Sequence, residues 1–116
     1  MMSVKIYHNP RCTKSRQTLQ LLKDRGIEPE VIEYLKTPPS VEELVDILEK
    51  LGREPRDLIR KQETEYKANG LDNIGLDRQS LINSMVNHPI LIERPIVVAN
   101  GKAVVGRPPE NVLGIL

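Results

Sequence analysis

Two strand patterns separated by one helix pattern fill the first 35 residues, and this order limits the fold more than any other feature. Residues 4–7 alternate apolar and polar side chains and run into Pro10, which breaks a strand. An apolar helical stripe covers residues 14–25 and ends at Gly26, and residues 30–35 again have strand composition. A β-α-β unit of this kind joins parallel strands through a right-handed crossover, so the chain is predicted to adopt an α/β fold.

The middle of the chain carries helical patterns. Ser40 and Glu43 form a capping-box motif, and the apolar stripe behind them continues to Gly52. Three shorter helices are predicted at residues 55–59, 62–68 and 77–86.

The last third of the chain carries a hairpin signal. Residues 96–99 and 102–105 have strand composition, and Asn100-Gly101 between them accepts the positive φ angles of a type I′ turn. The two prolines at residues 108–109 then begin a short terminal helix.

The element order is therefore βαβ, a helical block and ββα, which is the order of a thioredoxin-like α/β fold. The helical block, about residues 40–88, is an insertion between the second and third strands, and residues 1–116 are expected to form one domain. Pro95 directly precedes the third predicted strand, where a thioredoxin-like fold keeps a cis-proline, so Pro95 is predicted to be cis.

Composition excludes several functions. Seventeen basic and sixteen acidic residues give a net charge of +1, and the chain has no Phe or Trp, so nucleic-acid and membrane partners are not expected. No apolar run approaches the ~20 residues of a membrane span or resembles a signal peptide. A single cysteine fits a reducing compartment, so a cytoplasmic location is expected.

The same residue counts argue against a metal centre. Cys12 is the only cysteine, and His8 and His88 lack ligand spacing to a partner. The sequence predicts no metal and no bound cofactor.

Cys12 follows the first strand and precedes the first helix, which makes it a candidate nucleophile. A helix N-terminus favours the thiolate, and the neighbouring side chains of His8, Arg11, Lys14 and Arg16 add cationic groups nearby in sequence. The alternative is a small buried apolar residue, but a loop position among polar neighbours favours the catalytic role. His8 has two possible roles: it tunes the pKa of Cys12, or it ends the strand with its ring in solvent.

Two spacings narrow the chemistry. A phosphatase-type loop needs an arginine six residues after the cysteine, where this chain has Thr18. A dithiol oxidoreductase needs a second cysteine three residues on, where it has Ser15. Any adduct on Cys12 must therefore be resolved by an outside thiol such as glutathione.

Five blocks of the chain resemble the glutaredoxin-coupled, glutathione-dependent arsenate reductase family, and most closely its bacterial arsenate reductase-like subgroup. The blocks are HNPRCTKSR at residues 8–16, YLKTPP at 34–39, LIRK at 58–61, HPILIERPIVV at 88–98 and GRP at 106–108. They occur in the family's order and span the chain from end to end.

The resemblance implies that Cys12 attacks arsenate while Arg60, Arg94 and Arg107 hold the oxyanion, with glutathione as co-substrate and glutaredoxin as partner. Guanidinium groups suit this role because they pair bidentately with oxyanions. The family's founding enzymes have small residues on both sides of the cysteine, where this chain has Arg11 and Thr13. The extra positive charge is expected to broaden the choice of anion or thiol partner.

Two other functions are compatible with this sequence. One is a general glutathione-dependent thiol oxidoreductase, which the cationic Arg11 and Lys14 favour. The other is a transcription-associated regulator of the same fold family. Such regulators usually carry a cysteine pair and lack the full set of arginines, whereas this chain has Ser15 and all three arginines.

Overall fold

A computed structural model describes residues 3–116. These residues divide into two compact units. The first, here called the sheet unit, comprises the chain up to Thr37 together with Arg94–Leu116, and the second, the helical unit, comprises Pro38–Glu93. The single domain expected for the whole chain stays a prediction.

The sheet unit contains a four-stranded mixed sheet in the order β2-β1-β3-β4. Its strands are β1 (Val4–His8), β2 (Glu30–Glu33), β3 (Ile96–Ala99) and β4 (Lys102–Val105). β1 is parallel to β2 and antiparallel to β3, and β3 is antiparallel to β4. The predicted α/β architecture is confirmed.

One helix and one 3₁₀ helix complete the sheet unit: α1 (Thr13–Asp24) and a C-terminal 3₁₀ helix (Pro109–Ile115). α1 contacts the C-terminal 3₁₀ helix, which also contacts β4. Apolar side chains from the strands and both helices form one buried cluster, Val4, Ile6, Leu22, Val97, Ala99 and Val112. All six are aliphatic, as expected for a chain without Phe or Trp.

Turns end β2 and connect β3 to β4. The N–H groups of Lys36 and Thr37 both donate to the Glu33 carbonyl at 2.9 Å, so a turn ends β2 two residues earlier than the composition of residues 30–35 suggests. Asn100 and Gly101 have φ angles of 55° and 73°, which are the positive values that the predicted hairpin turn requires.

The helical unit contains α2 (Val41–Leu51), α3 (Pro55–Leu58), α4 (Thr64–Ala68), α5 (Arg78–Asn87) and a 3₁₀ turn (Pro89–Leu91). α5 contacts α2, α3 and the 3₁₀ turn. No helix among the described residues has both the length and the apolar character needed to cross a bilayer.

The predicted capping box begins α2. The Glu43 N–H donates to Ser40 Oγ at 3.1 Å, and the Ser40 N–H donates to Glu43 Oε1 at 3.1 Å. These bonds satisfy two backbone N–H groups near the helix start that have no partner within the helix.

Ser40→Ala is expected to lower the free energy of unfolding by about 1 kcal/mol, because the Glu43 N–H loses its acceptor. Urea unfolding followed by circular dichroism measures the change. Ser40→Asp is the matched control, since it keeps an acceptor and should remain near the native stability. Equal stability of Ser40→Ala and the native protein would contradict the assigned cap.

Candidate active site

The turn after β1 brings Cys12 to the start of α1. The Cys12 N–H donates to the Asn9 carbonyl at 3.0 Å, and the Arg11 N–H donates to Asn9 Oδ1 at 3.0 Å. Cys12 is the N-cap of α1, with extended backbone, and its carbonyl accepts the Arg16 N–H at 3.0 Å. The predicted position of Cys12 at a helix N-terminus is confirmed.

The thiol is shielded from water, yet it lies outside the apolar cluster of the sheet unit. Cys12 is 9% exposed, while Arg11 and Thr13 on either side are exposed. Burial raises the pKa of Cys12, but the N–H of Ser15, the hydrogen bond and charge of Arg94, and the N–H of Lys14 together outweigh it. The pKa of Cys12 therefore lies below its ordinary value, which favours the thiolate nucleophile.

Two guanidinium groups at the ends of the β3–β4 hairpin interact with the thiol of Cys12. Arg94 precedes β3 and lowers the pKa of Cys12 through a hydrogen bond and its positive charge. Arg107 follows β4, and its Nη1 lies 3.7 Å from Cys12 Sγ and donates to the Arg94 carbonyl at 3.2 Å. Arg94 is partly buried and Arg107 is exposed, so solvent screens the charge of Arg107 more strongly.

The hairpin thus brings Arg94 and Arg107 to one edge of the sheet, as predicted. The Arg94–Pro95 peptide is cis, which was also predicted, and the Arg107–Pro108 peptide is cis as well. Further hydrogen bonds hold the loop around Arg107. The Gly106 N–H donates to the Pro95 carbonyl at 2.9 Å, and Asn111 Nδ2 donates to the Arg107 carbonyl at 3.0 Å.

The structure corrects the expectation that His8 supplies positive charge. His8 is buried, with Nδ1 2.7 Å from the hydroxyl of the fully buried Ser15. Burial lowers the pKa of His8, the charges of Lys23 and Arg16 lower it further, and Glu33 opposes them. The lowered pKa favours the neutral form of the ring at pH 7. The alternative of a solvent-exposed ring is also wrong.

Ser15 links the neutral His8 to the turn that carries Cys12. Its Oγ accepts the Asn9 N–H at 3.0 Å, so it contacts both the end of β1 and the turn. Ser15 stands where a dithiol enzyme has its second cysteine, and here its hydroxyl has a structural contact while its backbone N–H lowers the pKa of Cys12.

The cationic neighbours of Cys12 in sequence act differently from expectation. Arg11, Lys14 and Arg16 have exposed side chains. Lys14 lowers the pKa of Cys12 through its backbone N–H, and Arg16 donates to the Pro10 carbonyl at 3.1 Å. The guanidinium that stabilises the thiolate is Arg94, which is distant in sequence.

Arg60, the third predicted arginine, belongs to the helical unit. Its Nε donates to Glu63 Oε1 at 3.2 Å and its Nη1 donates to Glu93 Oε1 at 3.0 Å, with 16% of the side chain exposed. Hydrogen bonds from the Arg60 N–H to Leu91 and from the Glu93 N–H to Leu58 place Arg60 beside Glu93. The role of Arg60 in binding an oxyanion stays a prediction.

Sequence reasoning did not identify Glu63 or Glu93. Arg60 and Glu63 are three residues apart, so this ion pair joins residues close in sequence. No sequence pattern indicates the role of Glu93, because it is distant from Arg60 in sequence and reaches it only in the folded chain. Within residues 3–116, no three His, Cys, Asp or Glu side chains are grouped so that they could hold a metal ion.

Comparison with known proteins identifies the family of this chain. Residues 7–115 match the ArsC family. An arsenate reductase of Neisseria meningitidis serogroup A is 53% identical, with the whole of both chains covered. An arsenate reductase of Escherichia coli is 46% identical over all of this chain and 82% of its own length.

The solved structure of an arsenate reductase from Vibrio cholerae superimposes with a TM-score of 0.96 at 55% sequence identity. The match covers 99% of this chain and 98% of the other. The thioredoxin-like fold and the family predicted from the five sequence blocks are both confirmed, and this chain belongs to the ArsC family.

Proposed function

We propose that this protein reduces arsenate to arsenite, with Cys12 as the nucleophile. The observation that carries the proposal is a thiol of lowered pKa at a helix N-terminus, with Arg107 Nη1 3.7 Å from its sulfur and Arg94 stabilising its thiolate. The family supports the choice of substrate, since relatives about half identical over the whole chain are named arsenate reductases.

Electrostatics explains the need for arginines. A thiolate and an arsenate dianion repel each other, and the repulsion is strong in a site with little water. Arg94 and Arg107 offset it, because their planar N–H groups bind oxyanions with charge-assisted hydrogen bonds. The proposal assigns Arg60 to the same anion on the strength of the family resemblance.

The proposed reaction begins when Cys12 Sγ attacks arsenic and one oxygen leaves as water, giving a Cys–S–As(V) adduct. A glutathione thiol displaces a second oxygen as water. A glutaredoxin thiolate then attacks the glutathione sulfur, and the electron pair of the broken S–As bond stays on arsenic, which becomes As(III). Water finally releases arsenite and the Cys12 thiol, leaving a glutaredoxin–glutathione mixed disulfide.

External thiols are part of the proposal because the chain has one cysteine. No second thiol of this chain can resolve an adduct on Cys12. Glutathione and glutaredoxin are the reductants proposed, and the cytoplasm, where the glutathione pool is reducing, is the proposed location.

A thiol oxidoreductase is the second candidate. Arg11 and Lys14 are exposed and lie close to Cys12 in sequence, and their charges suit the carboxylates of a glutathione mixed disulfide. Faster turnover of such a disulfide than of arsenate would favour this function.

Cys12→Ser is expected to abolish arsenate-dependent NADPH consumption in an assay coupled through glutathione, glutaredoxin and glutathione reductase. Serine lacks a nucleophile ionised near neutral pH. Ser15→Ala is the control for a nearby side chain that is not a nucleophile, and it should keep measurable turnover. Native-like activity in Cys12→Ser would contradict the proposal.

Arg94→Gln and Arg107→Gln are each expected to raise the KM for arsenate about tenfold or more, since a hydrogen bond to a charged group contributes about 1.5–3 kcal/mol. Arg60→Gln should act in the same direction. Arg25→Gln, which removes an exposed guanidinium at the far end of α1, is the matched control and should keep the native KM. Unchanged KM in all three site variants would exclude the assigned anion site.

A further inference from the structure

Thr18 joins α1 to the loop that follows β4, and the proposed reaction gives this residue no role. It is fully buried on α1, and its hydroxyl donates to the Lys14 carbonyl of the preceding turn at 2.8 Å. The same hydroxyl lies 3.3 Å from the Gly106 carbonyl, in the loop that follows β4. A threonine hydroxyl has one proton, so the two carbonyls share it.

Gly106 allows this loop to approach α1 closely. A Cβ atom at Gly106 would lie 2.6 Å from Thr18 Oγ1, and 3.0 Å from both Thr18 Cγ2 and Pro95 Cγ. Any side chain at this position would push the loop away from α1 and from the cis-proline. The absence of a side chain at Gly106 and the hydroxyl of Thr18 therefore belong to one contact.

The contact between Thr18 and Gly106 joins the helix that begins at Cys12 to the loop that carries Arg107. Thr18 is on the helix whose N-cap is Cys12, and Gly106 directly precedes Arg107. The contact thus joins α1 to the backbone that carries Arg107, whose Nη1 lies 3.7 Å from Cys12 Sγ.

We propose that Thr18 is a positioning residue that, through Gly106, holds the Arg107 guanidinium at the sulfur of Cys12. A phosphatase-type loop would have its anion-binding arginine at the position of Thr18, six residues after the cysteine. Here the guanidinium comes from the loop after β4, and the residue at that position holds the loop in place. This inference deepens the proposed function and rests on it where Arg107 is said to bind the oxyanion.

A purely local role for Thr18 predicts a different outcome. Threonine hydroxyls in helices often bond the carbonyl four residues earlier, and such a bond alone would influence only the stability of α1. A positioning role requires that loss of the hydroxyl alter the field at Cys12, and only while Arg107 is present.

The test compares the rates at which Cys12 is alkylated by iodoacetate, an anion, and by neutral iodoacetamide. A guanidinium at the sulfur accelerates the anionic reagent, so the ratio of the two rates reports the position of Arg107 without any arsenate chemistry. Thr18→Val, which keeps the shape and removes the hydroxyl, is expected to lower this ratio about three- to tenfold. Thr18→Ser keeps the hydroxyl and should retain the native ratio of the two rates.

The double variant Thr18→Val/Arg107→Gln decides between the two roles. If Thr18 acts through Arg107, the added Thr18→Val change leaves the ratio of Arg107→Gln unaltered. A native ratio in Thr18→Val, or an equal drop with and without Arg107, would overturn the inference. Gly106→Ala provides a second route to the same displacement and should lower the ratio even where Thr18→Val folds poorly.

Arsenate turnover is measured on the same variants. A native protein that fails to reduce arsenate while Thr18→Val still lowers the alkylation ratio would refute the proposed function and leave the positioning role intact. In an active enzyme, Thr18→Val should raise the KM for arsenate with a smaller effect on kcat, because Cys12 and Arg94 remain in the site.

Discussion

The site depends on a balance at one sulfur atom. Enclosing the thiol of Cys12 in protein raises its pKa, and the same enclosure strengthens every charge and dipole directed at it. The start of α1 supplies the N–H groups of Lys14 and Ser15, and Arg94 supplies a hydrogen bond and a positive charge. Because these contributions together exceed the cost of burial, the pKa of a shielded cysteine is lowered and its thiolate form is favoured.

Rigid elements maintain that balance. His8, which is neutral, and the buried hydroxyl of Ser15 hold the turn that carries Cys12, so this pair contributes through geometry rather than through charge. The short β3–β4 hairpin brings Arg94 and Arg107 to the same sheet edge although they lie far from Cys12 in sequence. Each group that acts on the sulfur therefore comes from the end of a strand or the start of a helix, where backbone hydrogen bonds limit its movement.

Much of this arrangement is encoded locally. The strand and helix patterns, the capping box at Ser40 and the Asn100-Gly101 turn could be predicted because neighbouring residues decide them. The pairing of Arg94 with Arg107 followed from the hairpin. The lowered pKa of His8 could not be predicted, since it depends on burial, which the sequence does not reveal. The contacts of Ser15, Thr18 and Glu93 join segments that meet only in the folded chain, so no local sequence pattern predicts them.

The most direct test of this account is the pH dependence of Cys12 alkylation by neutral iodoacetamide in the native protein and in Arg94→Gln. The rate rises with the thiolate fraction, so its midpoint gives the pKa of the thiol. The account predicts a native midpoint below that of a free cysteine measured in the same way, and a higher midpoint in Arg94→Gln, where the hydrogen bond and charge that oppose burial are lost. A native midpoint at or above that of a free cysteine would contradict it.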